Sequence, residues 1–224
     1  MPVDFQPDIA NRNKQEWPAI VDLLSGKSRE RILLFEGGSG VGKSELVRQA
    51  RDYAGKVGVP VAYIDFKSGT LNTDDVLGLI DLELGEHLPN FSQEKPKKTY
   101  SLRKDLRVLR QPVLFIFDSY EDIASNQSIA DWLNVQLLAD IGSTPAVVVV
   151  IAGQKMPNHI HASWRDLMCH FPLARINEFE HWKQWASQRY PRIPENVLSA
   201  LHKLADGLPS LMVVYCKTIA EDAQ

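Results

Sequence analysis

Apolar residues along this chain follow two rhythms. Short unbroken runs, rich in β-branched and aromatic residues, alternate with longer stretches in which apolar positions return every third or fourth residue. Unbroken runs read as strands buried on both faces, and the longer spacing reads as helices with one buried stripe. Four strands are clear: Arg31–Glu36, Val59–Phe66, Pro112–Asp118 and Pro145–Gln154, the last being the most β-prone stretch of all. Leu173–Asn177 reads as a fifth, shorter strand. Trp17, Ile20, Val21 and Leu24 predict a helix over Gln15–Leu24, and Leu46, Ala50, Tyr53 and Val57 predict one over Glu45–Ala54 that stops near Gly58. Val76, Leu77, Ile80 and Leu84 predict a third, with Thr73 as its N-cap.

Two further helices follow from Leu102, Leu106 and Leu109 over Thr99–Arg110, and from Trp132, Leu133, Leu137 and Leu138 over Ile129–Ile141. Residues 89–98, with two prolines and three lysines, predict a mobile loop. From Glu180 onward the pattern is helical throughout. Trp182, Trp185 and Tyr190 share a face. Val197, Leu198, Leu201 and Leu204 are in register between Pro194 and Gly207, and Pro209 opens a last helix with apolar Leu211, Met212, Tyr215, Cys216 and Ile219. Strands alternating with helices imply an α/β fold around a parallel sheet. The chain divides into an N-terminal arm and helix (1–30), an α/β core (31–179) and a helical lid (180–224).

Between the first strand and its helix lies Gly37-Gly38-Ser39-Gly40-Val41-Gly42-Lys43-Ser44, which fits G-x-x-x-x-G-K-S/T. A polyphosphate must be held without side-chain bulk. Glycines let backbone N–H groups turn inward as an anion-binding nest, and the following helix adds the positive end of its dipole. Gly38, Ser39, Gly40, Val41, Gly42, Lys43, Ser44 and Glu45 are therefore the candidate phosphate-binding residues. Lys43 reaches the β- and γ-phosphates, and the Ser44 hydroxyl can ligate Mg²⁺. Asp118 ends a buried strand, where an acid in this setting holds Mg²⁺. Of the following acids, Glu121 and Asp122, one can polarise an attacking water; both also suit a helix start. Gln154 ends a parallel strand at the same sheet edge, where it either senses a γ-phosphate or is a plain loop residue.

Composition narrows the partners. With 224 residues and a formal net charge of -3, nothing global points to nucleic acid or a membrane. Arg103, Lys104, Arg107 and Arg110 make the 99–110 helix basic, which is either a docking patch or a solvated face. Cys169 and Cys216 read as reduced core thiols, and His159-x-His161 lacks the neighbours of a metal site. Pro2, Asp4, Pro7 and Asp8 break any secretory leader, and no apolar run is long enough to span a bilayer, so a cytoplasmic location is expected. No N-K-x-D guanine-reading element is present, which favours adenine.

Taken in order, Asn11-Arg12 with Glu16, the phosphate loop, Asp118-Ser119-Tyr120-Glu121, Val147–Gln154 and Gly207-Leu208-Pro209 resemble the nucleotide-binding module of STAND-class signal-transduction ATPases, relatives of NB-ARC, NACHT and AAA+ proteins. The resemblance implies a five-stranded parallel sheet in the order 5-1-4-3-2, followed by a helical lid. It implies that Asn11 and Arg12 contact the adenine, that Pro209 touches base or sugar, and that Ser44 and Asp118 handle Mg²⁺. It implies ATP/ADP exchange, slow Mg²⁺-dependent hydrolysis with Lys43, Asp118 and Glu121 as catalytic residues, and self-association or a protein partner. Beyond residue 224 it implies a winged helix and a repeat sensor. Ser119 stands where the family often has an acid, and Gln154 where an arginine or another polar sensor is common. Three other readings stay open: an assembly module in which nucleotide is structural, a P-loop kinase of a small molecule using Arg189 or Arg192, and a DNA-associated AAA+ ATPase.

Overall fold

Side chains of successive residues in a strand point to opposite faces, so a strand buried at every position needs an apolar layer on both sides. Val113–Asp118 (β3) and Val147–Gly153 (β4) are buried at every position. They take the interior of the sheet in the computed structural model, which describes residues 5–69, 71–157 and 161–222. With Ile32–Glu36 (β1), Val61–Asp65 (β2) and Met168–Pro172 (β5), they form a sheet in the order β2-β3-β4-β1-β5, every pairing parallel. This is the expected order 5-1-4-3-2, read from the other edge.

The helices are Glu16–Leu24 (α1), Lys43–Lys56 (α2), Thr73–Leu84 (α3), Pro89–Gln93 (α4), Thr99–Val108 (α5), Gln127–Asp131 (α6), Ala162–Arg165 (α7), Phe179–Arg189 (α8), Glu195–Ala205 (α9) and Pro209–Asp222 (α10). Leu114, Ile116, Val148 and Val150 pack with α1 and α2 on one face, while Phe115, Phe117, Val149 and Ile151 pack with α3, α4 and α5 on the other. A separate cluster joins Trp182, Trp185, Leu198, Leu201, Met212 and Cys216 of α8, α9 and α10.

Several elements differ from the sequence expectation. The fifth strand is Met168–Pro172, not Leu173–Asn177. As an edge strand it pairs on one side only and tolerates half-exposed residues, so its apolar signal is weak. Leu173 is buried and its N–H donates to the Glu36 carbonyl (2.6 Å), which gave the following segment its strand-like look. Cys169 sits half-buried on this edge, not in the core, whereas Cys216 is buried.

The cap of α3 is Asn72. Its side chain accepts from the N–H groups of Asp74 and Asp75, and the Asp75 carboxylate accepts from the Asn72 N–H, a reciprocal capping box. The region 89–98 is not a free loop. Phe91 in α4 is fully buried, buried Asp105 accepts from its N–H (2.9 Å) and from the Asn90 amide (2.6 Å), and Lys97 pairs with Asp81 (2.9 Å). Composition registered the lysines but not their partners. The 129–141 helix is α6 continued as a π-helix over Trp132–Leu137 and a 3-10 helix over Leu138–Ser143. Leu204 is exposed, because Leu198, Leu201 and Ala205 take the inward face of α9.

The basic face of α5 is partly neutralised within the chain. Arg103 and Arg107 both reach Asp140 (2.6 and 2.8 Å), and these hydrogen bonds, Arg103 first, hold the Asp140 carboxyl below its usual range. No helix among the described residues is long and apolar enough to cross a membrane.

Truncating Phe91 to alanine tests whether 89–98 is part of the folded core. The expected loss is about 3–5 kcal/mol, the range for deleting a buried phenyl ring, measured by urea unfolding. A change below about 1 kcal/mol would return the segment to a surface loop.

Candidate functional site

Parallel strands share their carboxyl ends, so the residues that follow β1, β3 and β4 meet at one edge of the sheet. After β1 the chain turns through the glycine loop. Gly40 and Gly42 have φ of +78° and +94°, conformations that side chains rarely adopt. At Gly37 a Cβ would collide with the Leu173 carbonyl oxygen, so the loop also packs too closely for a side chain there. Lys43 opens α2, and its ammonium folds into the loop, donating to the Gly37 and Gly38 carbonyl oxygens (both 2.8 Å). Burial lowers the Lys43 pKa, against the pull of Glu121 and Asp118. Ser44 and Glu45 follow in the first turn of α2, and Glu45 is held by Arg48 and Gln49.

Asp118 closes β3 almost fully buried, at 2% exposure. Its Oδ1 accepts from the Ser119 N–H (2.8 Å) and its Oδ2 from the Tyr63 hydroxyl (3.0 Å). Ser119 then takes a left-handed conformation (φ 61°), which aims the next turn, Tyr120–Asp122, back across the sheet edge. Glu121 is thereby brought to the end of β4. Its two carboxylate oxygens accept from Gln154, one from the backbone N–H (2.7 Å) and one from the side-chain amide (3.1 Å). Burial pushes the Glu121 pKa up, but these hydrogen bonds and the Lys43 charge outweigh it, and the net shift is downward. Asp122 faces solvent.

One cavity of about 520 Å³ runs along this edge. Ser39–Glu45, Asp118, Glu121 and Gln154 line one end. Ile9, Ala10 and Arg12 of the arm, Trp182, Trp185 and Tyr190 of the C-terminal region, and Pro209 line the other. The structure therefore gathers nearly all the expected site residues. Gly38 contributes through its carbonyl to Lys43, and Asn11 lies in the arm but not on the cavity wall, which Ile9 and Ala10 form instead. The Arg12 guanidinium, on the cavity wall, is engaged by protein groups. It pairs with Glu16 (3.2 Å) and donates to the Ala174 carbonyl (2.7 Å), and burial lowers its pKa.

The sequence did not reveal what joins the arm and the C-terminal helices to the loop. The Ser210 N–H donates to the Gly40 carbonyl (3.0 Å), and a Cβ at Gly40 would strike the Ser210 hydroxyl. Asp8 bridges two elements. Its N–H donates to Gln49 on α2, while its carboxylate accepts from the Trp185 indole (2.9 Å) and pairs with Arg189 on α8. The clustered tryptophans were legible; a lone aspartate in a polar arm gave no signal.

The donor set fits Mg²⁺. A serine hydroxyl and one ionisable carboxylate on the same cavity wall suit a hard cation that keeps water and phosphate oxygens as its other ligands. Among the described residues no group of three or more His, Cys, Asp or Glu could hold a metal by itself. His161 instead caps α7, accepting from the Ser163 N–H; His159 lies outside the described residues.

No protein-family model matches the chain, and no curated protein sequence matches it. Solved structures do. The ORC2 protein of Aeropyrum pernix, solved as ADPNP–ADP complexes, is 18% identical with a TM-score of 0.69, over 100% of this chain and 65% of that one. A Walker-type ATPase of Pyrococcus abyssi is 17% identical with a TM-score of 0.63, over 99% and 72%. A STAND protein of Pyrococcus horikoshii with a tetratricopeptide repeat sensor is 13% identical with a TM-score of 0.58, over 86% of this chain and 28% of that one. At such identities the likeness is one of fold. The fold is that of the P-loop ATPases of the AAA+ and STAND kind.

Asp8→Ala should cost about 1–3 kcal/mol, the range for losing hydrogen bonds to a charged group, measured by chemical denaturation. Combined with Arg189→Met it should cost less than the sum of the two. Strict additivity would mean that the pair does not interact.

Proposed function

We propose that the chain is the ATP/ADP-binding switch module of a STAND-type signalling or defence ATPase, with slow Mg²⁺-dependent hydrolysis and nucleotide-controlled oligomerisation. The observation that carries this reading is the shared cavity. One end is a phosphate loop and the other is walled by the arm and the C-terminal helices, so a nucleotide would touch both at once. A ligand that bridges two bodies shifts their arrangement by as much as it favours one arrangement over the other. In this reading residues 180–224 act as the lid, and Pro209 meets the base or sugar.

The loop amides and Lys43 would neutralise the β- and γ-phosphates, exchanging the Gly37 and Gly38 carbonyl contacts for phosphate oxygens. Ser44 and Asp118 would hold Mg²⁺, which when bound supplies further neutralisation of the phosphates. Glu121 would orient the attacking water. Its lowered pKa keeps it ionised and makes it a better acceptor than proton remover. Trp182 and Trp185 are buried in the C-terminal cluster, so half-buried Tyr190 would be the ring on that wall available to meet an adenine.

The clasp of Gln154 on Glu121, together with Ser119 in place of an acid, favours a second reading: an assembly module stabilised by nucleotide with negligible turnover. Multiple-turnover phosphate release separates the two. The kinase reading loses support because Arg189 is committed to Asp8. The DNA-associated reading loses support because Arg103 and Arg107 share Asp140.

Lys43→Ala should weaken nucleotide binding about 10–100-fold, the loss of one or two charge-assisted contacts, read by calorimetry. Unchanged affinity would displace the site. Glu121→Gln should leave affinity nearly unchanged and slow phosphate release by on the order of 10²; equal rates would remove Glu121 from the chemistry.

A further inference from the structure

Tyr63 does not line the cavity, yet among the described residues its side chain hydrogen-bonds to Asp118. On β2 it alternates with Ala62 and Ile64, which are fully buried in the opposite layer, so Tyr63 turns toward α2 and stays half-buried. Strand register sets Asp65 beside Asp118 and Tyr63 beside Ile116, which lets the long phenol reach forward along the sheet to the end of β3. Its hydroxyl donates to Asp118 Oδ2 at 3.0 Å. The guanidinium of Arg51, from α2, lies 5.4 Å from the ring centroid and fixes the ring from its outer face.

Among the described residues the acid, at 2% exposure, accepts two hydrogen bonds, from this phenol and from its own neighbour's N–H. A carboxylate offers about four lone-pair positions, so two remain for a cation or its water shell. Without the phenol, Oδ2 would lose its protein donor, and the carboxylate would be oriented by the Ser119 N–H alone.

We propose that Tyr63 is a positioning residue for the divalent cation. It holds the Asp118 carboxylate in its present rotamer, on the cavity wall that Ser44 shares, with Oδ2 fixed by the phenol and Oδ1 by the Ser119 N–H, and each oxygen keeps a lone pair for the cation or its water shell. The inference rests on the Mg²⁺-nucleotide reading of the site. Outer partners of a metal-binding carboxylate orient it and tune its affinity, and their loss typically costs about 10–100-fold in metal binding. Tyr63 would act only through Asp118, so its removal should be invisible when no cation is present.

The test is Tyr63→Phe in the full chain, with ADP affinity measured by calorimetry across a Mg²⁺ titration and again in EDTA. The Mg²⁺ concentration giving half the cation-dependent gain in affinity should rise about 10-fold or more, while ADP affinity in EDTA stays within about 2-fold of the unmodified protein. Arg51→Ala, which keeps the hydroxyl, should move the Mg²⁺ requirement less than Tyr63→Phe. An unmoved Mg²⁺ requirement overturns the proposal. So does an equal loss of affinity in EDTA, which would make Tyr63 a packing residue, or an equal effect from Arg51→Ala, which would assign it to the ring. If the unmodified protein binds ADP identically with and without Mg²⁺, the cation reading fails together with Tyr63. If it shows the Mg²⁺ gain and Tyr63→Phe keeps it, Tyr63 alone fails.

Discussion

A loop that grips concentrated negative charge with backbone N–H groups cannot carry side chains on its inner wall, and every other feature of the site accommodates that constraint. Gly40 and Gly42 turn through conformations that favour glycine, and Gly37 lies against the Leu173 carbonyl with no space for a Cβ. Such a loop has little packing of its own to hold its shape. Its neighbours hold it instead: the Lys43 ammonium from inside, Leu173 from the edge strand, and the Ser210 N–H from α10. The Lys43 contacts are with carbonyl oxygens, which are weaker partners for an ammonium than phosphate oxygens, so they can be exchanged at modest cost.

The contact between Gly40 and α10 gives that exchange a mechanical consequence. In the proposed site a bound phosphate would draw Lys43 away from the loop carbonyls, and the loop touches the C-terminal helices directly at Ser210 and Leu208. Those helices carry their own apolar cluster around Trp182, Met212 and Cys216 and meet the rest of the chain through polar contacts, Ser210 with Gly40, Asp8 with Trp185 and Arg189, and Arg175 with Asp206, and through apolar ones, Ala10 and Ile176 with their own cluster and Leu208 with that of the sheet. In the proposed switch, this body with its own core, joined to the sheet beside the glycine loop, would move as a unit.

The sheet was legible because β1, β3 and β4 are continuous apolar runs, its strand order followed from the family resemblance, and the loop glycines sit in a pattern whose chemistry is explicit. Edges were harder to read. Met168–Pro172 hides because an edge strand need not be apolar throughout, and Leu173 mimics a strand because it packs beneath the loop. The 89–98 segment was misread because charge and proline report local chain preference, whereas Phe91, Asp105 and the Lys97–Asp81 pair are tertiary facts. At the site, the sequence indicated Lys43, Ser44, Asp118 and Glu121 by position along the chain. It could not indicate Asp8 or Tyr63, whose partners lie 177 and 55 residues away.

The Glu121 clasp bears on why turnover should be slow. Hydrogen bonds to a carboxylate contribute about 1.5–3 kcal/mol each, and Gln154 supplies two of them. A water held by Glu121 must either accept a less favourable lone pair or displace one of these donors. Displacement raises the barrier by about 1.5–3 kcal/mol, which corresponds to a rate lower by roughly 10- to 150-fold. Gly153 makes the clasp possible, since a Cβ there would lie 2.8 Å from the Glu121 carboxylate. The residue that holds the carboxylate, Gln154, stands at the end of the strand beside β1, on the wall of the same cavity as the phosphate loop. A γ-phosphate that attracted the Gln154 amide would therefore free a Glu121 oxygen in the same movement. Sensing and activation would then be one event, and ADP, which lacks that phosphate, would leave the clasp shut.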